Sequence, residues 1–125
     1  MTQAIVLFAH GARDPRWAEP FEAVAAQVRA AAPGRAVVLA FLELMTPSLA
    51  EATARLADAG AKQIEVVPLF LGTGGHLRRD LPALVEAAQR AHPALAIRLH
   101  AAIGEHASVI DAMARASLAA AGFGQ

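Results

Sequence analysis

Residues 3–11 read QAIVLFAHG and residues 63–76 read QIEVVPLFLGTGGH; each is an apolar run that closes on small residues and a histidine. Short runs rich in Val, Ile, Leu and Phe, ended by glycine, are the pattern of strands covered on both faces. Two further runs of this kind give four expected strands: Gln3–Ala9, Ala36–Leu42, Gln63–Phe70 and Ala94–His100. Longer segments of helical period separate them, and strand followed by helix is the signature of a parallel sheet. With right-handed crossovers, four βα units leave few topologies. The expectation is a three-layer, flavodoxin-like α/β fold: a four-stranded parallel sheet, order 2-1-3-4, with helices on both faces.

The helices carry their own punctuation. Asp14 ahead of Pro15 suits an N-cap before a first-turn proline, and Trp17, Phe21, Val24 and Val28 follow at helical spacing until Pro33-Gly34. Thr46-Pro47 repeats the device, with Leu49, Thr53 and Leu56 as the buried side and Gly60 as the stop. Asp80 and Pro82 are expected to open the third helix, which carries Leu84, Val85 and Ala88 on one side and closes before His92-Pro93. Gly104 precedes the fourth, whose Val109, Ile110 and Met113 are expected to face inward. Connections are short and no linker divides the chain, so residues 1–125 read as one domain.

Composition narrows the functions available. Hydrophobic residues make up 56% of the chain, alanine alone contributing 33, which excludes a disordered polypeptide. Eleven basic residues balance eleven acidic ones, so there is no electrostatic footprint for nucleic acid or a membrane surface. With no cysteine, thiolate metal sites, iron–sulfur clusters and thiol nucleophiles are excluded. Any metal must be held by His, Asp or Glu. The apolar runs are too short to span a bilayer, and the first nine residues lack a basic start and a small-residue cleavage site, so a cytoplasmic protein is expected.

In a 2-1-3-4 sheet the winding reverses between strands one and three, and ligands bind beyond the carboxyl ends of the strands at that point. His10-Gly11 ends strand one, Glu43 follows strand two, and Gly72–His76 follows strand three, so three polar groups converge on one edge. Two imidazoles and a carboxylate suit a borderline divalent ion such as Co²⁺, Fe²⁺, Ni²⁺ or Zn²⁺, with positions left open for a substrate. Gly74 and Gly75 offer backbone N–H groups with no side-chain bulk, which favours close approach of an anionic or flat ligand. The segment lacks the lysine of a P-loop. Arg13, Arg78 and Arg79 flank the histidines and can clamp carboxylates. Trp17 and Phe21 fit a helix core face, though Trp17 lies near enough to the His10 loop to stack on a ring, and Leu44, Leu71 and Leu77 bring aliphatic surface to the strand ends. His100 and His106 lie on the same edge, away from the switch point, and His92 at the opposite one.

The blocks His10-Gly-Ala-Arg-Asp-Pro-Arg-Trp, Phe41-Leu-Glu, Thr46-Pro-Ser-Leu and Pro68-Leu-Phe-Leu-Gly-Thr-Gly-Gly-His76-Leu-Arg-Arg-Asp-Leu-Pro82 resemble the short CbiX-type sirohydrochlorin chelatases over nearly the whole chain. The commoner form has serine where this chain has Ala12. The resemblance implies insertion of a divalent metal into the tetrapyrrole sirohydrochlorin: cobalt on the cobalamin route, or iron on the siroheme route. It implies His10 and His76 as the metal-binding pair, Glu43 as the acidic group beside them, and no organic cofactor. Longer relatives hold two such halves, so a short chain is expected to form a homodimer with the cleft between subunits. A compact chain of this length has a radius of gyration of about 14 Å, which leaves little room to enclose a macrocycle alone.

Three other readings compete. A strand ending in His-Gly near arginines also describes histidine phosphatases, but those carry arginine immediately before the histidine, where this chain has Ala9. A carrier that binds metal or tetrapyrrole without catalysis uses the same residues. A plain flavodoxin-like binding domain explains the scaffold but not the shared edge of His10, Glu43 and His76.

Overall fold

The computed structural model describes residues 2–72 and 74–123; the side chain of His76 lies outside the description. Four strands, β1 (Gln3–Ala9), β2 (Ala36–Phe41), β3 (Gln63–Pro68) and β4 (Ala96–Leu99), form one all-parallel sheet in the order β2-β1-β3-β4, as the sequence pattern predicts. β1 is central, with Val6 opposite Val38 on one side and Val66 on the other. The expected strand four is shorter than its apolar run, because Leu95 N–H closes a turn onto the His92 carbonyl and spends Ala94 and Leu95 on leaving the preceding helix.

Among the described residues there are four α-helices: α1 (Glu19–Ala31), α2 (Leu49–Asp58), α3 (Gly75–Ala91) and α4 (Ala107–Ala120). Single 3-10 turns at Pro15–Ala18 and Ile103–Glu105 lead into the first and the last. The main core lies on one face, where Ala4, Val6, Phe8, Ile64 and Val66 meet Leu49, Ala52 and Leu56 of α2 and Leu81 of α3. On the other face Leu7 and Val37 pack against Ala25 and Val28 of α1. Among the described residues no helix is long and apolar enough to cross a membrane.

Helix boundaries depart from the sequence reading where tertiary burial or a better cap wins. Asp14 does cap, its Oδ1 accepting from Arg16 N–H at 2.9 Å, but it opens the 3-10 turn, and the stripe continues through buried Ala25 while Val24 points to solvent. α2 starts after Ser48 rather than Thr46, because Ser48 and Glu51 form a reciprocal capping box that satisfies two otherwise orphaned N–H groups. Thr46-Pro47 is a cis peptide ahead of it. Leu49, Thr53 and Leu56 are buried as expected, and the Thr53 hydroxyl donates to the Leu49 carbonyl at 3.0 Å.

α3 begins at Gly75, well before Asp80, and carries Pro82 in its interior. An interior proline costs about 3 kcal/mol through the lost hydrogen bond and ring clash. Here the helix absorbs that cost by burying Leu81 and Ala88 and laying Leu77 and Val85 along the core. The fourth helix overturns its expected orientation: none of α4 is buried, and Ile110 and Met113 are exposed rather than inward.

Candidate metal-binding edge

β1 delivers His10 to the carboxyl edge, and the ladder continues beyond the strands: Leu42 N–H donates to the Ala9 carbonyl at 2.9 Å and Glu43 N–H to the His10 carbonyl at 3.1 Å. This backbone zipper carries Glu43 alongside His10. Gly11, at φ 99°, turns the chain where the Glu43 backbone leaves no space for a Cβ. Leu44 follows in the left-handed region at φ 66°, and Met45 N–H returns to the Glu43 carbonyl at 2.8 Å, completing a tight bend.

The two side chains meet. His10 Nε2 stands 3.4 Å from Glu43 Oε2, with 47% and 56% of the side chains exposed. Two donors each about 2.1 Å from a tetrahedral ion are separated by roughly 3.4 Å, so the pair is spaced to share a metal or to exchange a proton. The imidazole rests edge-on against Phe70, ring centroids 5.9 Å apart, and Phe70 in turn contacts Phe8 of the core. Phe70 is a site residue that sequence reasoning missed. Its signal is the alternation of β3: Ile64, Val66, Pro68 and Phe70 are the buried set, one face of the strand. Trp17 and Phe21 pack on each other, ring centroids 4.6 Å apart, against the buried cluster of Ala9, Ala18 and Phe41.

Gly74 is the N-cap of α3 and Gly75 its first residue, so the glycine segment is a helix N-terminus as well as a loop. Such an end is favourable to carboxylates. Thr73 lies outside the described residues. His76 is the second residue of α3; among the described residues no group of three His, Asp or Glu gathers around a metal position. The segment is fixed from the far side by Gly104, whose N–H donates to the Phe70 carbonyl at 2.9 Å and which packs so closely on the Leu71 backbone that a Cβ has no room.

Arg13 lies beside Ala12, Leu44, Met45 and Thr46 around one shallow concavity of about 360 Å³. Arg78 lines a second of about 390 Å³ with Leu77, His100 and Glu105, and Arg79 is exposed on the same first turns of α3. Leu44 and Leu71 are exposed as expected, while Leu77 is half-buried. His100 is turned away from the edge onto the sheet face, where its Nε2 meets Glu65 Oε1 at 2.6 Å. His106 is the exposed N-cap residue of α4, and His92, the C-cap of α3, is half-buried.

An open parallel sheet with an exposed imidazole and carboxylate side by side at its switch point is an α/β domain of the class that receives ligands beyond the strand ends. The chain belongs to the CbiX family, whose model matches residues 4–120. It is 37% identical over 82 residues to the sirohydrochlorin cobaltochelatase of Methanopyrus kandleri, a match that takes in 66% of this chain and 57% of the relative, so the aligned stretch spans less than two thirds of that protein. In solved structures it resembles a CbiX protein from Marinobacter aquaeolei, with TM-score 0.85, 36% identity and 95% and 97% of the two chains covered. It also resembles SirB from Bacillus subtilis, solved with Fe³⁺, with TM-score 0.82, 27% identity, 96% of this chain and 48% of that one. The sirohydrochlorin chelatase SirB from the subspecies spizizenii, in complex with cobalt, gives TM-score 0.81, 29% identity and 94% and 50% coverage.

Proposed function

We propose that this chain is a sirohydrochlorin chelatase: a single chelatase-like domain over residues 1–125, working as a homodimer in the cytoplasm, that inserts a divalent metal, Co²⁺ first, into sirohydrochlorin. The observation that carries the reading is the exposed His10–Glu43 pair, 3.4 Å apart at the switch point of a CbiX-family fold. The cobaltochelatase name of the Methanopyrus kandleri relative supports cobalt as the metal.

Metal insertion asks three things of a protein: partial dehydration of the ion, removal of two pyrrole protons, and support for a puckered ring. Neutral imidazoles at His10 and His76 replace part of the hydration shell with few bonds, so the ion stays exchangeable. Glu43, or an imidazole once the ion has moved on, accepts a pyrrole proton; the 3.4 Å spacing lets proton and metal pass between the two groups. Arg13, Arg78, Arg79 and the backbone N–H groups at Gly74 and Gly75 meet the peripheral carboxylates, and Leu44, Leu71 and Leu77 cover apolar ring faces.

The test is an anaerobic absorbance assay with excess sirohydrochlorin and catalytic protein, run with Co²⁺, Fe²⁺ and Ni²⁺. Multiple turnovers support the reading. His10→Ala and His76→Ala should each lower the rate by about 100-fold or more while circular dichroism is unchanged. Conversion limited to one equivalent per protein identifies a carrier instead, full rates in either variant remove the assignment, and a preference for Fe²⁺ moves the enzyme to the siroheme branch.

A further inference from the structure

The His10 side chain is 47% exposed, and of the orientations open to it the structure adopts the one that brings Nε2 to 3.4 Å from Glu43 Oε2. A half-exposed imidazole on a strand exit turns about two torsions and has several staggered positions available. Something must select this one. The carboxylate is a poor selector, since Glu43 is itself 56% exposed on a longer side chain, and attraction between groups so exposed is screened by water and salt.

The neighbour on the other side is of a different kind. Phe8 lies opposite Pro68 in the sheet, and Leu69 N–H donates to the Phe8 carbonyl at 2.8 Å, so the β1–β3 ladder runs on past the strands. Two places further in the same register His10 falls opposite Phe70, on the face that carries Val6 and Phe8 of β1 and Ile64 and Val66 of β3. The two rings meet there at an interplanar angle of 63°, centroids 5.9 Å apart. Phe70 is only 7% exposed, its ring packs on Phe8 with centroids 6.3 Å apart, and its carbonyl accepts from Gly104 N–H at 2.9 Å. It is a fixed wall: the ring cannot turn without opening the main core, and the backbone is tied from the far side. Such a wall removes the rotamers that would swing into it, and it offers the imidazole no donor or acceptor to compete with a metal. The chain then leaves Phe70 through exposed Leu71 toward α3, so one buried residue registers the β1 exit against the β3 exit.

We propose that Phe70 is a positioning residue for metal binding: anchored in the core, its ring holds the His10 imidazole in the orientation that presents Nε2 beside Glu43 at the open edge. The proposal rests on the reading of His10 as a metal ligand. It gives to the phenyl ring the task that an exposed carboxylate is too mobile to perform, and it places Phe70 outside the chemistry, acting only through His10.

Nuclear magnetic resonance of the metal-free protein reads the orientation directly. The Hα–Hβ couplings of His10 should report one rotamer in the wild type and in Glu43→Gln, and averaging among rotamers in Phe70→Leu, which keeps apolar bulk but removes the flat ring. With Co²⁺ alone as titrant, Phe70→Leu should bind about tenfold more weakly, because the imidazole must now be ordered on binding. In turnover its KM for Co²⁺ should rise while its KM for sirohydrochlorin does not. Leu56→Ala controls for packing alone: Leu56 is buried in the same core at the far end of the sheet, where its carbonyl accepts from Ala61 N–H ahead of β3. That variant should melt lower yet keep the single His10 rotamer and the wild-type Co²⁺ affinity. Averaged couplings in the wild type or in Glu43→Gln would overturn the proposal with position 70 untouched. So would a folded Phe70→Leu that keeps one rotamer and full affinity, or a Leu56→Ala that loses affinity equally. A fixed imidazole and weakened Co²⁺ binding in Phe70→Leu, with no turnover of sirohydrochlorin by the wild type, would sink the proposed reaction and leave this role of Phe70 standing. Turnover by a wild type whose His10 rotates freely would do the reverse.

Discussion

Gly11 and Glu43 touch backbone to backbone, with no space for a Cβ at the glycine. The contact sets the depth at which the β2 exit lies against the β1 exit, and so sets the gap between the His10 and Glu43 side chains. Gly11→Ala adds a methyl group where the carbonyl oxygen already sits and where φ is 99°. A left-handed alanine alone costs roughly 1–2 kcal/mol. The variant is expected to melt lower and to lose at least about tenfold in metal insertion, since misplacing a reacting group by about 1 Å has larger effects than that. Cobalt titration followed by visible absorbance checks it; unchanged affinity would show that the contact does not govern the pair.

Gly104 imposes the matching constraint on the other side of the site. Gly104→Ala must push the Leu71 backbone, and with it the segment leading into α3, whereas Gly72→Ala meets open space. The first should reduce turnover and stability together; the second should stay within about 0.5 kcal/mol of wild type by urea unfolding. Equal tolerance of both would mean that the Leu71 approach is not a constraint.

Glu43→Gln keeps shape and removes charge. If the carboxylate accepts a proton during metalation, the rate should fall by about 100-fold with metal affinity reduced far less; if it is chiefly a ligand, affinity falls in step with rate. Single-turnover absorbance and equilibrium metal titration separate the two.

The His100 hydrogen bond, supported by Gln63 and the Arg98 charge, holds the Glu65 carboxyl below its ordinary value of 4.5. The folded state therefore binds fewer protons than the unfolded chain in the acid range. The resulting stability is fully present above the ordinary value and is lost as pH falls through the lowered one. Glu65→Gln should be less stable than wild type at neutral pH and should show a flatter stability profile from about pH 5 downward. Parallel profiles for the two proteins would remove the linkage.

Much of this molecule can be read from its letters because parallel strands leave an unambiguous apolar record: β1 runs over Gln3–Ala9 as read, and the 2-1-3-4 order follows from it. The nearness of His10 and Glu43 was legible too, since both follow directly on adjacent strands. Three features were not. Pro82 reads locally as a helix start, and only the burial of Leu81 and Ala88 shows why the helix tolerates it. The α4 stripe reads as an inward face, yet none of that helix is buried. Phe70 against His10, and Gly104 against Leu71, are meetings of residues far apart in sequence, which no window of local pattern contains.

β1 is hydrogen-bonded along both sides, to β2 and to β3, while α4 packs chiefly on the short turn Ile103–Glu105. Amide exchange should therefore be slowest through Val6, Leu7 and Phe8 and fastest in the last helix. The imidazole at position 10 is thus carried directly off the one strand that is hydrogen-bonded to β2 and β3 alike.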